Sequence, residues 1–249
     1  MSNTIMVTGM VLSSMPVGDY DKRLALLTKE RGKLTVFAKG ARRPGSHLMA
    51  AATPFVFGSF QLNESRNSYH LQYASVRSYF TELARSQPEI YYGFYFLELA
   101  DYYGQENNDE SKMLNLLYLT LKALMNPKID NRLIRRAFEL RILTVQGEYP
   151  QVGACASCGE KDDLTAFSCR KHGILCRACA PNAPDAQGMD ASAVYALQYI
   201  IYAPLQKLYA FAVKPRIQAQ LDAAVGELMR QTLDRKIKSQ EILDVMAGG

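Results

Sequence analysis

The sequence predicts an α+β protein with several modules: a small antiparallel β-barrel, then a helical bundle into which a four-cysteine metal module is inserted. Three observations predict this fold class. Short segments of alternating apolar residues fill residues 3–75, helical periodicity begins near residue 78, and two Cys-x-x-Cys pairs lie between helical segments. The predicted domains are 1–80 for the barrel, 81–150 and 186–249 for the two parts of the helical domain, and 151–185 for the cysteine module.

Five short strands make up the predicted barrel. They are Thr4–Ser13, Leu24–Lys29, Leu34–Lys39, Phe55–Leu62 and Tyr69–Val76. Gly32 lies in the turn of the hairpin between the second and third strands, and the third strand alternates between two faces with a period of two. Five strands in this length, without a helix of normal length, are typical of a small antiparallel barrel.

The first module carries the excess positive charge of the chain. The formal net charge is +5, and residues 1–80 contain 10 Lys and Arg residues against 4 Asp and Glu residues. The remaining residues are close to neutral. This asymmetry indicates a polyanionic partner, with nucleic acid favoured over a membrane surface, although an ordinary solvated surface is the open alternative.

The loop 39–47 concentrates this charge between two strands. Its two glycines and its proline prevent regular structure and leave backbone N–H groups accessible. Arginine forks and free amides suit phosphate oxygens, whereas a flexible basic loop without a ligand is the alternative interpretation. The predicted DNA contacts are Lys39, Arg42 and Arg43 in this loop, with Arg23, Arg31 and Lys33 beside it. Aromatic residues are frequent on the strands, but the pattern does not separate base-stacking side chains from core side chains.

Five helical segments follow the barrel. They are Glu89–Tyr103, Ser111–Met125, residues 131–146, Ala191–Phe211 with an interruption at Pro204, and Ile217–Met246. The first segment is apolar nearly all round, which is typical of a central helix in a bundle. Asp130 is the predicted N-cap of the third segment.

Three arginines cluster on one side of the third predicted helix. Arg132, Arg135 and Arg136 form an ordinary solvated helix face in the first interpretation, with Arg135 four residues before Glu139 in a modest ion pair. In the alternative interpretation they bind an acidic partner peptide.

The cysteine module contains Cys155 and Cys158, then seventeen residues, then Cys176 and Cys179. Two such knuckles suit one closed, structural Zn²⁺ site with four thiolates at about 2.3 Å. Disulfides and a redox pair are the alternatives, and a catalytic zinc is disfavoured because four sulfurs leave no open position for water. Cys169 and His172 lie between the knuckles. They are interpreted as loop residues, with Cys169 as an alternative ligand.

Several functions are disfavoured by what the sequence lacks. It contains no run of about 18 apolar residues and no signal-peptide pattern, so no membrane partner and a cytoplasmic location are expected. No phosphate-binding glycine motif or catalytic triad pattern is evident, and a nuclease would need a compact carboxylate motif for Mg²⁺. The residues alone therefore indicate a nucleic-acid-binding protein that is not an enzyme. A structural adaptor that binds proteins is the alternative.

Three segments resemble the RecO family of bacterial DNA repair proteins. They are Pro16–Pro44, Phe138–Pro150 together with the Cys-x-x-Cys-Gly that follows it, and Asp234–Ser239. The resemblance covers essentially the whole chain in the same order. Glu148 interrupts the Gly-Tyr-Pro type of sequence found in the family, and Cys169 is additional to the four family cysteines.

The resemblance implies an N-terminal OB-fold, a helical domain and a zinc finger embedded in it. It also implies binding of single- and double-stranded DNA, annealing of complementary strands, and loading of the RecA recombinase on strands coated by single-strand-binding protein. The implied partners are RecR and the acidic C-terminal tail of single-strand-binding protein, for which Arg132, Arg135 and Arg136 are the candidate site. The implied location is the cytoplasm, in association with the nucleoid.

Overall fold

The computed structural model describes residues 3–65 and 68–247, which form two compact units. The first unit contains Met1–Leu121 and Ile237–Gly249, and the second contains Lys122–Lys236. One cut along the chain does not separate these units, because the C-terminal segment belongs with the N-terminal half. The tip of the predicted turn between the fourth and fifth strands, residues 66 and 67, lies outside the described residues.

A closed five-stranded barrel forms the N-terminal part of the first unit. Its strands are β1 (Asn3–Val17), β2 (Asp21–Thr28), β3 (Gly32–Ala38), β4 (Phe57–Ser65) and β5 (Ser68–Ser78). They are arranged in the order β1, β2, β3, β5, β4. The predicted barrel is confirmed with one difference: β3 and β5 run parallel, whereas the other four strand contacts are antiparallel. A closed ring with an odd number of strands cannot alternate in direction throughout, so one parallel contact is required. This arrangement is OB-like.

Strand β1 contributes to both sides of the barrel because it is long and irregular. Residues 3–10 pair with β4 and residues 9–17 pair with β2, with a register shift between Val11 and Ser13. An extra residue in one strand of an antiparallel pair bends that strand and increases its twist. At Gly9, where the two pairings overlap, an added Cβ would lie 2.5 Å from the carbonyl oxygen of Leu27. Glycine is therefore required for this close approach.

Alternate residues of the strands fill the barrel interior, as the period of two predicts for β3. The buried strand residues are Val7, Val11, Leu24, Leu26, Leu34, Val36, Ala38, Phe60, Leu62 and Leu71. The connection between β3 and β4 adds Ala41, Leu48, Ala52 and Val56 to the same core. The basic residues of this connection therefore project from a loop whose apolar side chains are fixed in the barrel.

The helices within residues 3–65 and 68–247 are mostly those that the periodicity predicts. They are α1 (Glu89–Tyr103), α2 (Ser111–Leu124), α3 (Asn131–Gln146), α4 (Ala191–Tyr202), α5 (Pro215–Thr232) and α6 (Lys238–Met246). The side chain of Asp130 accepts a hydrogen bond from the backbone N–H of Arg132, which confirms the predicted N-cap. None of these described helices is long and apolar enough to cross a membrane.

Helix α4 ends at Tyr202 instead of continuing beyond Pro204. A proline has no N–H to donate and disfavours helical backbone at the residue before it, here Ala203. The guanidinium of Arg141 donates hydrogen bonds to the carbonyl oxygens of Ile200 (3.0 Å) and Ala203 (2.9 Å). A side chain from α3 thus satisfies carbonyl groups that the end of α4 leaves unpaired.

The single last helix predicted over Ile217–Met246 is wrong, because α5 and α6 are separate helices. Leu233 ends α5 with an extended backbone at φ −80° and ψ 123°. The carboxylate of Glu98 accepts hydrogen bonds from the backbone N–H groups of Lys238 (3.0 Å) and Ser239 (2.8 Å), and so caps the start of α6. This cap comes from α1, 140 residues earlier in the chain, so no local pattern announces the break.

Candidate metal centre and nucleic-acid interface

The two Cys-x-x-Cys knuckles meet at one point in the second unit. The Sγ atoms of Cys155, Cys158, Cys176 and Cys179 all lie within 4.8 Å of one another, and those of Cys158 and Cys176 are 3.7 Å apart. A tetrahedral site with metal–sulfur bonds of about 2.3 Å has sulfur–sulfur separations of about 3.8 Å. The four cysteines could therefore hold one metal ion with little rearrangement.

A small sheet positions the knuckles. Its strands are β6 (Leu164–Ser168), β7 (Gly173–Cys176) and β8 (Gln187–Gly188), in the order β7, β6, β8. The backbone N–H of Ala156, inside the first knuckle, donates to the carbonyl oxygen of Ile174 at 2.8 Å. The second knuckle begins at Cys176, the last residue of β7. Gly159, just after the first knuckle, has φ +79°, a left-handed conformation that glycine adopts without strain.

The sulfurs of the cluster affect one another's pKa values. Burial opposes ionisation of Cys155, but backbone N–H groups of Cys176, Cys158 and Ser157 outweigh it and lower the pKa of Cys155 to about 6. Hydrogen bonds with the Cys158 and Cys176 sulfurs raise the pKa of Cys179 to about 12. The protein alone therefore does not stabilise four adjacent thiolates, whereas a divalent ion would supply the missing positive charge.

Cys169 and His172 belong to the turn between β6 and β7. Neither residue joins the metal-binding group found among the described residues. Burial, followed by the charges of Glu227 and Asp185, raises the pKa of Cys169 to about 11. The Cys169 side chain is buried and its sulfur lies outside the four-cysteine group, which agrees with its interpretation as a loop cysteine.

The basic loop is fastened to the turn between β1 and β2. The backbone N–H of Gly40 donates to the carboxylate of Asp21 at 2.8 Å, and that of Arg42 donates to the carbonyl oxygen of Tyr20 at 2.8 Å. The side chains of Lys39, Arg42 and Arg43 are exposed. The structure therefore brings the three predicted loop residues together on a fixed backbone, where they can approach a polyanion without an ordering step.

The other predicted DNA contacts lie on different parts of the barrel. Arg23 is exposed on β2 near the basic loop, whereas Arg31 is exposed at the opposite end, in the turn between β2 and β3. The ammonium of Lys33 lies 3.5 Å from the Asp101 carboxylate of α1. Arg23, Lys33 and Asp101 share a hollow of about 330 Å³ on the outer face of the first three strands. A phosphate contact by Lys33 would thus compete with its ion pair.

Sequence reasoning missed Tyr20 and Lys22 beside the basic loop. The Tyr20 side chain is 50 % exposed, and the Arg43 guanidinium lies 5.0 Å from the centre of its ring. The Lys22 ammonium donates to the carbonyl oxygen of Ala52 at 2.9 Å, and burial, with the nearby Arg42 charge, lowers its pKa. The sequence signal that could have identified them is the short turn between β1 and β2, followed at once by Lys22 and Arg23 on β2.

The arginines of α3 take part in ion pairs inside the second unit. Arg135 pairs with Glu139 at 2.9 Å, and Arg136 pairs with Glu139 at 2.6 Å and with Asp222 of α5 at 2.8 Å. The Glu139 side chain is only 1 % exposed. Arg132 also pairs with Asp222, but its side chain is 55 % exposed. The pair predicted between Arg135 and Glu139 is confirmed, but it is buried and not on a solvated face.

The protein belongs to a class of α+β proteins with two characteristic parts. One is an OB-like barrel with an exposed basic loop, and the other is a helical unit that carries a four-cysteine metal-binding group. Comparison with known families identifies the particular one. The family model described as "Recombination protein O N terminal" matches residues 1–80, and "Recombination protein O C terminal" matches residues 88–241. The chain belongs to the RecO family, whose members have a role in DNA repair and recombination.

Curated relatives agree with this assignment over nearly the whole chain. DNA repair protein RecO of Acetivibrio thermocellus is 26 % identical over 245 residues, which are 98 % of this chain and 98 % of the relative. The protein of the same name from Bacillus subtilis is 27 % identical, over 96 % of this chain and 93 % of its own. That from Exiguobacterium sibiricum is 29 % identical, over 95 % and 94 %. These names indicate a role in DNA repair.

Proposed function

We propose that this protein is a DNA-binding recombination mediator without catalytic activity. It binds single- and double-stranded DNA, anneals complementary strands and, with RecR, helps to load RecA on strands coated by single-strand-binding protein. Its place of action is the cytoplasm, at the nucleoid. The observation that carries this proposal is the loop 39–47, whose arginines are exposed on a backbone anchored in an OB-like barrel. Membership of the RecO family supports the rest.

Annealing is a task that this basic surface suits. Two DNA strands repel each other through their phosphates, so a protein that holds both must screen that charge without reading sequence. Arg42 and Arg43 offer planar guanidinium groups that donate to phosphate oxygens in pairs. Each true phosphate contact contributes about one unit to the slope of log affinity against log salt concentration.

The test is annealing of two complementary oligonucleotides precoated with single-strand-binding protein, followed by fluorescence at several salt concentrations. Wild type is compared with the triple variant Lys39→Ala, Arg42→Ala, Arg43→Ala. The matched control replaces three exposed lysines outside the barrel, Lys112, Lys128 and Lys161, by alanine. Both variants lose three positive charges, but only the first should lose fast annealing and lower the salt slope by about three. An unchanged slope in the loop variant would exclude the loop as the phosphate site.

A protein-binding adaptor is the second candidate function. It is favoured by an apolar hollow of about 880 Å³ in the second unit, lined by Tyr195, Phe211, Val213 and Ile217. In this case the basic barrel binds DNA only incidentally. Failure of wild type to bind bare oligonucleotides at low salt would leave the adaptor as the better conclusion.

We propose that the four-cysteine group holds one structural Zn²⁺. The ion would cross-link the two knuckles and thereby stabilise the sheet that carries them. One equivalent of zinc should be measured in purified wild type and should be lost in Cys158→Ser. Cys169→Ser is the matched control and should retain the metal. A full equivalent of zinc in Cys158→Ser, or its loss in Cys169→Ser, would assign the ligands differently.

We also propose that the arginine cluster on α3 binds the acidic C-terminal tail of single-strand-binding protein. Arg132 is the accessible member, whereas Arg135 or Arg136 could bind a peptide carboxylate only after leaving its present ion pair. Arg132→Glu should weaken binding of a labelled tail peptide at least several-fold, with Arg177→Glu as an exposed control in the same unit. Equal affinity of Arg132→Glu and wild type for the peptide would remove this proposal.

A further inference from the structure

The turn between β1 and β2 presents an aromatic ring, that of Tyr20, beside the basic loop 39–47. Tyr20 leaves half of its side chain exposed although it lies in a closely connected part of the barrel. The guanidinium of Arg43 lies 5.0 Å from the ring centre, in the range of a cation–π interaction. The guanidinium of Arg43 thus already contacts the Tyr20 ring, while half of the side chain remains exposed to solvent.

Hydrogen bonds join the turn that carries Tyr20 to the loop that carries Arg42 and Arg43. The backbone N–H of Arg42 binds the carbonyl oxygen of Tyr20, and Nη1 of Arg42 donates to the carbonyl oxygen of Gly18 at 3.2 Å. Gly18 has φ +55° and Gly40 has φ +66°, a left-handed conformation that glycine adopts without strain at both positions. The backbone that carries the ring therefore does not need to be ordered when a ligand arrives, which lowers the entropic cost of binding.

A further cationic residue follows the turn on β2. Arg23 follows Tyr20 by three residues and lines the 330 Å³ hollow on the outer face of β1, β2 and β3. In OB-folds, this kind of outer strand face and the loop between the first two strands bind oligonucleotides. An exposed aromatic ring beside a cationic group combines the two elements that bind single strands, stacking for a base and charge for the phosphates.

We infer that Tyr20 stacks on an unpaired nucleobase and makes this surface prefer single-stranded over double-stranded DNA. Bases in a duplex are stacked on both faces, so they offer no free face to a protein ring, whereas an unpaired base does. Arg43 positions the ring and contacts the flanking phosphate. This inference rests on the proposed DNA-binding function and assigns one of its specificity-determining residues.

The experiment measures the affinity of the full-length protein for a single-stranded oligonucleotide and for a hairpin duplex with the same number of phosphates. The variants are Tyr20→Leu and Tyr20→Phe, with Tyr73→Leu as a control for an equally exposed barrel tyrosine (55 %) on β5. A second readout uses 2-aminopurine at single positions of the oligonucleotide, because stacking on an aromatic ring changes its fluorescence. Thermal unfolding of each variant checks that the barrel is intact.

We expect Tyr20→Leu to weaken single-strand binding roughly 5-fold or more, since stacking on an aromatic side chain has about this effect per base. Duplex binding should change less than about 2-fold, and the salt slope should stay the same, because no phosphate contact is removed. Tyr20→Phe should behave as wild type. The 2-aminopurine signal of the wild-type complex should disappear in Tyr20→Leu and persist in Tyr73→Leu.

Different failures have different meanings. Equal losses for single strands and duplex would show that Tyr20 only supports Arg43, and this would overturn the stacking role while DNA binding by the loop still stood. Unchanged single-strand affinity in Tyr20→Leu, beside lost affinity in the triple loop variant, would do the same. If wild type bound neither DNA, the proposed function and this inference would fail together.

Discussion

Two Arg-Arg pairs of this chain look alike in the sequence but have opposite environments. Arg42 and Arg43 are exposed on the barrel loop, where Arg42 donates to the carbonyl oxygen of Gly18 and Arg43 lies over the ring of Tyr20. Arg135 and Arg136 lie on α3 with side chains 11 % and 13 % exposed, and both pair with the buried Glu139. The first pair retains its positive charge for a ligand, whereas the charge of the second is balanced within the fold.

The comparison teaches that positive charge marks a binding surface only where the fold leaves it unbalanced. A buried guanidinium without a carboxylate partner would cost several kcal/mol, so helix α3 and Asp222 of α5 supply partners. An exposed arginine has no such requirement, and its hydration is easily exchanged for phosphate contacts. The same dipeptide therefore supports stability in one unit and ligand binding in the other.

The largest expected effect comes from breaking the buried pairs. Glu139→Gln keeps the size of the side chain but removes the buried carboxylate that Arg135 and Arg136 share, so the free energy of unfolding should fall by about 3–5 kcal/mol. Chemical denaturation followed by circular dichroism measures this. The control is Arg177→Ala, which removes an exposed pair with Asp163 and should cost less than about 1 kcal/mol. Similar losses in the two variants would contradict the contrast between buried and exposed arginines.

An effect of intermediate size distinguishes the arginines that stabilise the fold from those that bind DNA. Arg42→Ala with Arg43→Ala should lower the free energy of unfolding by about 1 kcal/mol or less, since exposed hydrogen bonds and one cation–π contact are lost. Arg135→Ala with Arg136→Ala should destabilise the protein more, yet leave the salt slope of DNA binding per folded molecule unchanged. In denaturation, the Arg135 and Arg136 double variant should therefore show the larger loss of stability. In titration with DNA, the Arg42 and Arg43 double variant should show the larger change in salt slope. Identical ranks in the two assays would mean that the pairs are not functionally different.

The smallest effect concerns acid pH. Burial alone would raise the pKa of Asp222, but hydrogen bonds from Arg136 and Arg132 outweigh it and lower the pKa below its ordinary value. The carboxylate therefore stabilises the fold above its unfolded pKa of about 3.9. This contribution begins to fall as the pH drops below about 4. It is lost once the pH has passed below the lower pKa that Asp222 has in the folded protein. Wild type should exceed Asp222→Asn in unfolding free energy at pH 7, with a gap that narrows towards pH 3. A constant gap would show that the charge of Asp222 is not responsible.

Local patterns predict much of this molecule. The alternation in β3, the Asp130 cap and the start of α3 each depend on residues within a few positions of one another, and all are confirmed. The metal-binding group is also local in origin, because two tight knuckles aim their sulfurs inward and only the intervening loop must return. Sequence spacing is sufficient where the geometry is set by nearby backbone.

Features that depend on distant partners could not be predicted in this way. The break before α6 depends on Glu98, and the burial of Arg135 and Arg136 depends on how α3 packs in its unit, to which α5 contributes Asp222. Tyr20 was missed for the same reason, since its position beside Arg43 follows from the contact between two loops. Tertiary contacts, and not local propensity, decide these positions.

The return of α6 to the first unit has a consequence for synthesis of the chain. Residues 237–247 leave the ribosome after the whole second unit, whereas Glu98, which caps the start of α6, is made before that unit. Domains generally fold as units while they are synthesised, with N-terminal ones first. Here the second unit can finish folding before the first has all its parts. Translation that stops shortly before Ile237 would thus release a protein with an intact helical unit and an incomplete barrel unit.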